Sequence, residues 1–343
     1  MKLGIWLPIF GGWLRNRNEE SMSASFEYNK QVALAADRLG FSTVLVAELN
    51  LNDIKGADEP VLEAWTTVSA LAAITKNIRL MAAIRPGYRL PGLVAKMAAN
   101  IDQISNGRFE LNLVSAWWRD EMLKYTGSWL DHKDRYARSE EFLQVLSGMW
   151  QTTKENPFSF DGEHYQIKEA LLSPKPLQSG RVPIYAGGES EQGRTMIAKH
   201  CSGYLMHGDS PEVIVSHISD MNQRRERNDL PKLNYGMAAY MICRETEKEA
   251  QDELKAITDV SSSPEARHSY EDFVSQSKLR SSISIEDYSV SNRGLRPGLV
   301  GTPEQILERI HAYENAGLEF MLIQASPMLE EIETIGQSII PQL

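Results

Sequence analysis

Three stretches of this chain carry side chains that could do chemistry if a fold gathered them. Ser105-Asn-Gly-Arg-Phe-Glu-Leu-Asn-Leu-Val-Ser-Ala-Trp-Trp118 reads as a strand ending in an amide, Asn112, and two indoles, Trp117 and Trp118. Adjacent residues leaving a strand point in different directions, so at least one indole is expected to wall a pocket for a planar cofactor or a small substrate. His132-x-x-Arg135-Tyr136-x-x-x-Glu140 sets a cation and a phenol at a helix start, within reach of an anion. The same spacing also describes a solvated amphipathic helix. Tyr185-Ala-Gly-Gly-Glu-Ser-Glu-Gln-Gly193 is a strand, two glycines and a helix start. Backbone N–H groups and the helix dipole there can hold a phosphate, although a tight turn that needs glycine has the same pattern.

Other chemistries lose ground. The seven histidines are scattered, and no two have a spacing typical of a metal site. His207 is the exception in position, because it follows a strand candidate. No Gly-x-Ser-x-Gly elbow or Walker loop occurs, which disfavours hydrolase and nucleoside-triphosphatase readings. Cys201 and Cys243 stand far apart, outside any Cys-x-x-Cys pair, so a disulfide framework or thiolate metal centre is not expected and a reducing compartment fits. A net charge of −10 gives no general attraction to nucleic acid or an anionic membrane, though a local basic pocket for one small anion remains open. No apolar run reaches membrane-spanning length, and Gly11 and Gly12 interrupt the N-terminal apolar stretch too early for a signal peptide. The expectation is a cytoplasmic protein.

The elements that must position these residues alternate. Strand candidates lie at Leu3 to Leu7, Thr43 to Ala47, Ile78 to Ala83, Phe109 to Val114, Val182 to Ala186, Gly203 to Met206, Gly236 to Ile242 and Phe320 to Ile323. Most lack polar alternation, as parallel strands buried on both faces do. Amphipathic stretches at Phe26 to Leu39, Val61 to Thr75, Val94 to Ile104, Arg135 to Trp150, Glu191 to His200, Pro211 to Arg227, Glu247 to Ala256 and Pro303 to Asn315 alternate with them. Thr302-Pro303-Glu304 and Ser210-Pro211-Glu212 are helix starts by cap, first-turn proline and acidic residue. Eight strands alternating with eight helices is the count of a (β/α)8 TIM barrel, read here as one domain over 1–343 with insertions. Phe158 to Tyr165 looks like a hairpin around Asp161-Gly162, and the Ser- and charge-rich segment 260–298 looks like a mobile lid. In a barrel the active site lies at the C-terminal ends of the strands, which selects Trp6 to Trp13, Glu48, Arg85 to Arg89, Asn112 to Trp118, Gly187 to Ser190, His207 and Gln324.

Asn112-Leu-Val-Ser-Ala-Trp117, His132-x-x-Arg-Tyr136, Ile84-Arg-Pro-Gly87, Ser173-Pro-Lys-Pro-Leu177, Ala186-Gly-Gly-Glu-Ser190 and Leu299-Val-Gly-Thr-Pro303 together resemble, in order and across nearly the whole chain, the bacterial luciferase-like flavin monooxygenases. The likeness is to the branch that holds alkanesulfonate, dimethyl sulfone and pyrimidine monooxygenases. The resemblance implies an enzyme that takes reduced FMN from a separate NAD(P)H:flavin reductase, reacts it with O2 and oxygenates a small organic substrate through a flavin peroxide. It implies that Asn112 and Glu121 contact the flavin region, that Arg135 and Tyr136 hold phosphate or ribityl groups, and that the backbone of Gly188, Glu189 and Ser190 cradles the phosphate. Glu48 would lie beside the isoalloxazine ring. It also favours a homodimer or homotetramer.

On this reading Asn112, Trp118 and His207 are the catalytic candidates, and Trp13, Met237, Tyr240, Arg293 and Arg296 line the substrate site. Sulfonate-cleaving relatives carry an Arg and a His on the strand that here reads Tyr235-Gly-Met-Ala-Ala-Tyr240, and Met237 and Ala239 are taken to fill those places. Ser326 stands where relatives have Tyr, and Glu189 where they have Ser or Gln. Without two anion-binding groups, a neutral sulfone or heterocycle suits the site better than a sulfonate, which would depend on Arg85, Arg89, Arg293 or Arg296. Two alternatives are a deazaflavin-dependent hydride-transfer oxidoreductase and a non-catalytic flavin-binding paralogue.

Overall fold

A computed structural model describes residues 1–17, 19–115, 117–259, 270–271, 284–290 and 294–343. In chain order the elements are β1 (Lys2–Trp6), α1 (Phe26–Leu39), β2 (Thr43–Val46), α2 (Ala64–Ile74), β3 (Arg79–Ile84), α3 (Pro91–Ile104), β4 (Phe109–Leu113), α4 (Arg119–Thr126) and α5 (His132–Gln151). There follow β5 (Phe158–Asp161), β6 (Gln166–Ala170), β7 (Ile184–Ala186), α6 (Glu191–His200), β8 (Gly203–Met206), α7 (Pro211–Glu226), β9 (Asn234–Cys243) and α8 (Glu247–Thr258). The chain ends with α9 (Ile285–Ser289), β10 (Leu299–Gly301), α10 (Pro303–Asn315), β11 (Phe320–Gln324) and α11 (Met328–Ser338).

The strands β1, β2, β3, β4, β7, β8, β9 and β11 pair in parallel in that order, and β11 returns to β1, so the sheet closes as a (β/α)8 barrel. Both faces of these strands are apolar for different reasons. Leu45, Met81, Tyr185, Leu205, Phe320 and Leu322 fill the barrel interior, with Trp6 packed on them, while the alternate residues join the layer between sheet and helices. A polar alternation has no place on such strands.

All eight expected strands are present, and every boundary falls within two residues of its expected place. Thr302 and Gln305 form a reciprocal capping box at the start of α10, and α7 begins at Pro211. The eighth helix of the ring is a correction. It is α11, not α8, because α11 follows the last barrel strand and packs on α1, where a Cβ at Gly336 would stand 2.9 Å from that of Leu39. Helix α8 instead lies against β9 and β10, and β10 extends the upper end of β9 outside the barrel. Helix α4 was also unforeseen. It is short, and charged residues dominate its sequence, Arg-Asp-Glu-Met-Leu-Lys-Tyr-Thr.

The expected hairpin is β5–β6, with its turn at 162–165 held by the Glu141 carboxylate, which accepts the backbone N–H groups of Glu163, His164 and Tyr165. Of the expected lid, 260–269, 272–283 and 291–293 lie outside the described residues. Its described part is anchored. Val290 bridges Leu14, the Arg15 N–H donates to the Ser289 carbonyl, and the Arg15 guanidinium lies 4.6 Å from the Tyr288 ring centre. Among the described residues no helix is long and apolar enough to cross a membrane.

Candidate active site at the carboxyl end of the barrel

The mouth of the barrel has two unlike walls. On the β2–β3–β4 side the polar groups are charged and mutually engaged. Arg85, just past β3, donates from both terminal nitrogens to Glu121 of α4 at 2.5 and 2.8 Å, and each side chain is almost wholly buried. Glu121 also accepts the Asn50 N–H at 2.5 Å. Glu48, just past β2, accepts the Arg85 N–H at 2.6 Å and the Arg89 Nε at 2.8 Å. Arg89 completes the chain by donating to Glu63 at 2.6 Å. Burial pushes the Glu48 carboxyl above its usual range, with Arg89 and Arg85 opposing the shift. Removing either member of such a buried pair strands the other charge, which costs about 3–5 kcal/mol.

The phosphate-type turn lies between β7 and α6. Gly188 has φ 158°, and a Cβ on Gly188 or on Gly193 would stand 3.0 Å from the Tyr136 hydroxyl. Ser190 caps α6 by accepting the Gly193 N–H at 3.1 Å, and Tyr204 donates to the Gly188 carbonyl at 3.0 Å. Burial raises the Tyr204 phenol above its ordinary pKa, and the neighbouring Glu189 carboxylate adds to the shift. Thus Tyr136, Gly188, Glu189 and Ser190 are brought together, as the family resemblance implied.

Arg135 stacks over Trp129 at 4.2 Å and donates to the Leu130 carbonyl. Neither it nor Arg138, one turn on, has an ion pair among the described residues, and burial lowers the pKa of both. The contrast is Arg194, whose guanidinium pairs with Asp220 and Glu191 at the α6–α7 surface.

On the β9–β11–β1 side the groups are neutral and open. Gln324 ends β11 on the same face as Phe320 and Leu322, and it is 1% exposed with neither Nε2 nor Oε1 hydrogen-bonded among the described residues. The Trp6 and Trp13 indole N–H groups are likewise buried without an acceptor, and the two rings meet edge to face at 6.0 Å. Tyr240 pairs with Gln324 across β9–β11. Burial, with Glu20 and Glu331 adding, holds its phenol well above the ordinary value. Asn112, on β4 at the edge of the charged wall, is buried, and its Oδ1 has no partner among the described residues.

Several candidates are placed differently from expectation. Met237 and Ala239 face the helices, because they alternate with Gly236, Ala238 and Tyr240, and Met237 is paired with Met206 and Met321 of the outer layer. The side chains of β9 that reach the interior are therefore Ala238 and Tyr240, again without a cation. Arg296 is held by Asp287 at 2.9 Å and Asp209 at 3.5 Å rather than standing ready for an anion. Arg293 lies outside the described residues. Glu121 uses both oxygens on Arg85 and Asn50, so it acts as a buried counterion.

Trp117 and Trp118 stack at 5.8 Å with planes 10° apart instead of diverging, because the strand has ended and alternation no longer applies; Trp118 is half-buried and precedes α4. His207 is exposed just beyond β8, outside the buried set.

The sequence reading missed Glu20, which orders the loop beneath Trp13 by accepting the Trp13 and Leu14 N–H groups, the Ser326 hydroxyl and the Lys55 ammonium. No local motif marks it. Among the described residues no cluster of three or more His, Cys, Asp or Glu could hold a metal.

Comparison with known proteins bears on this arrangement. A family model described as luciferase-like monooxygenase matches residues 1–319. An FMNH(2)-dependent dimethylsulfone monooxygenase of Pseudomonas putida is 34% identical over 99% of this chain and 94% of its own length. Its counterpart in Pseudomonas fluorescens (strain Pf0-1) is 35% identical over the same shares. Among solved structures, long-chain alkane monooxygenase superposes with a TM-score of 0.83 at 19% identity, over 100% of this chain and 91% of that one, which is a likeness of fold.

Proposed function

The chain belongs to the luciferase-like monooxygenase family, and from that premise we propose that it binds reduced FMN between the Gly188 turn and the charged wall and oxygenates a small neutral sulfone held against the neutral wall. The reduced flavin comes from a separate NAD(P)H:flavin reductase. It supplies two electrons, so that one atom of O2 enters the substrate and the other leaves as water.

The observation that carries this reading is where charge is left unneutralised. Arg85, Arg89 and Arg296 are all spent on carboxylates, whereas Arg135 and Arg138 on α5 have no ion pair among the described residues. A phosphate is attracted to the second pair and to the α6 start, and a substrate anion finds no equivalent at the neutral wall. FMN fits the residues in a second way, since side chains at Gly188 and Gly193 would collide with the Tyr136 hydroxyl and close the turn. Tyr136 and Ser190 would hold the phosphate end, Glu48 would border the ring, and Asn112 would orient the reacting oxygen.

We read 1–343 as one barrel domain with a water-excluding lid at 260–298, working in the cytoplasm as a homodimer or homotetramer. The test is turnover with a flavin reductase, NAD(P)H and 18O2, offering dimethylsulfone and methanesulfonate in parallel. Labelled product from the sulfone alone is expected; preference for the sulfonate would refute the substrate assignment.

A further inference from the structure

A primary amide can make four hydrogen bonds, and a buried amide that makes none bears its desolvation cost uncompensated. Gln324 is such an amide. It is 1% exposed, and both its nitrogen and its oxygen lack partners among the described residues. Its direction is fixed by the strand, because Phe320 and Leu322 on the same parity fill the barrel interior and Gln324 is the next inward position toward the C-terminal end. Across β9 its register partner is Tyr240. Trp6 occupies the last inward place on the neighbouring β1, and its indole N–H, like that of Trp13 beside it, is buried without a partner among the described residues. One patch of the mouth thus offers three donor nitrogens without acceptors among the described residues, on three uncharged side chains. In folded proteins most buried polar groups are hydrogen-bonded, and Gln324 stands apart among the described residues in that both polar atoms of its side chain are unmet.

We propose that the Gln324 amide, with the Trp6 and Trp13 indoles, is the recognition site for the two oxygens of a neutral sulfonyl group, so that Gln324 is a substrate-binding and specificity-determining residue. The inference rests on the sulfone reading above. Sulfonyl oxygens accept hydrogen bonds and donate none, which matches a donor patch. Hydrogens on carbon next to the sulfur are polarised and suit the Gln324 Oε1 as weak donors. A carboxylate or sulfonate would bring a full negative charge to a place where the neighbouring Lys55 ammonium is already paired with Glu20, and is disfavoured by desolvation.

The test compares wild type with Gln324→Leu and Gln324→Glu in the full chain, assayed with a flavin reductase and dimethylsulfone, alongside anaerobic titration with reduced FMN and thermal unfolding. Gln324→Leu removes a polar group that has no internal partner, so its Tm is expected to equal or exceed that of wild type. Its KM for dimethylsulfone is expected to rise about tenfold, with kcat within about threefold and reduced-FMN affinity unchanged. Gln324→Glu is expected to lose sulfone turnover while keeping flavin affinity. An unchanged KM in Gln324→Leu, or a fall in its Tm, would overturn the proposal and assign the amide a structural role. A parallel loss of flavin affinity would overturn it as well. A wild-type protein that binds reduced FMN but ignores dimethylsulfone would retire the sulfone reading and this inference together, an outcome read from the wild type alone.

Discussion

The two walls of the barrel mouth are both built at or beyond the carboxyl ends of parallel strands, yet they differ in how their polar groups are paired. On one, Glu48, Arg85, Arg89 and Glu121 bind one another with hydrogen bonds of 2.5–2.8 Å, and of these four side chains only the Arg85 Nε is left buried without a partner among the described residues. On the other, Trp6, Trp13 and Gln324 leave buried polar atoms unmet. A closed charged network holds the geometry of a mouth without needing a ligand, and an open neutral one acquires partners only when something binds. The contrast assigns scaffolding to the first wall and recognition to the second, with Asn112 at the edge of the first.

The sharpest way to break the comparison is to open the closed wall. Arg85→Met leaves the Glu121 carboxylate buried and alone, and denaturant unfolding should show a loss of about 3–5 kcal/mol. Adding Glu121→Leu should recover most of that loss, which a merely steric defect at Arg85 would not allow.

Next comes Asn112→Ala. Its Oδ1 has no internal partner to lose, so stability should hold while oxygenation falls by about 100-fold, as when one oriented polar group is taken from a reacting oxygen. Turnover at the wild-type rate would remove Asn112 from the chemistry. Tyr136→Phe probes the phosphate turn rather than either wall. It should weaken reduced-FMN binding about tenfold in a fluorescence titration and leave the sulfone KM alone.

The smallest effect is a slope. Glu48 has a pKa raised above the ordinary carboxylate value, so in the window above about pH 4.5 the folded chain holds more of this proton than the unfolded chain does. Its contribution is therefore full below that window and is lost as pH rises through the folded value. Glu48→Gln should flatten that part of the stability profile, and an unchanged slope would show that the Arg89 pairing cancels the burial term.

Much of the scaffold was legible in the sequence. Strands buried on both faces cannot alternate, and the caps at Ser210 and Thr302 announce their helices locally. Tyr136 and the Gly188 turn could be joined only through the family resemblance, since the spacing of each motif by itself also fits an ordinary helix start and an ordinary tight turn. The side of a strand was harder to read. Met237 and Tyr240 lie in an almost uniformly apolar run, where no polar mark shows which parity is inward, and only the pairing with Met321 and Gln324 decides it. Charge pairing was hidden for a similar reason. Glu121 and Arg85 are 36 residues apart, and nothing local says that they neutralise each other. Gln324 could be placed at the mouth by its strand, but that its amide is unsatisfied is a property of packing alone.

The central claim is best tested by titrating the purified protein anaerobically with reduced FMN, following tryptophan fluorescence, with oxidised FMN and a reduced deazaflavin as parallel ligands. The account predicts clear preference for reduced FMN, retained in Gln324→Leu and weakened in Tyr136→Phe. Preference for the deazaflavin, or no binding of reduced FMN, would contradict it.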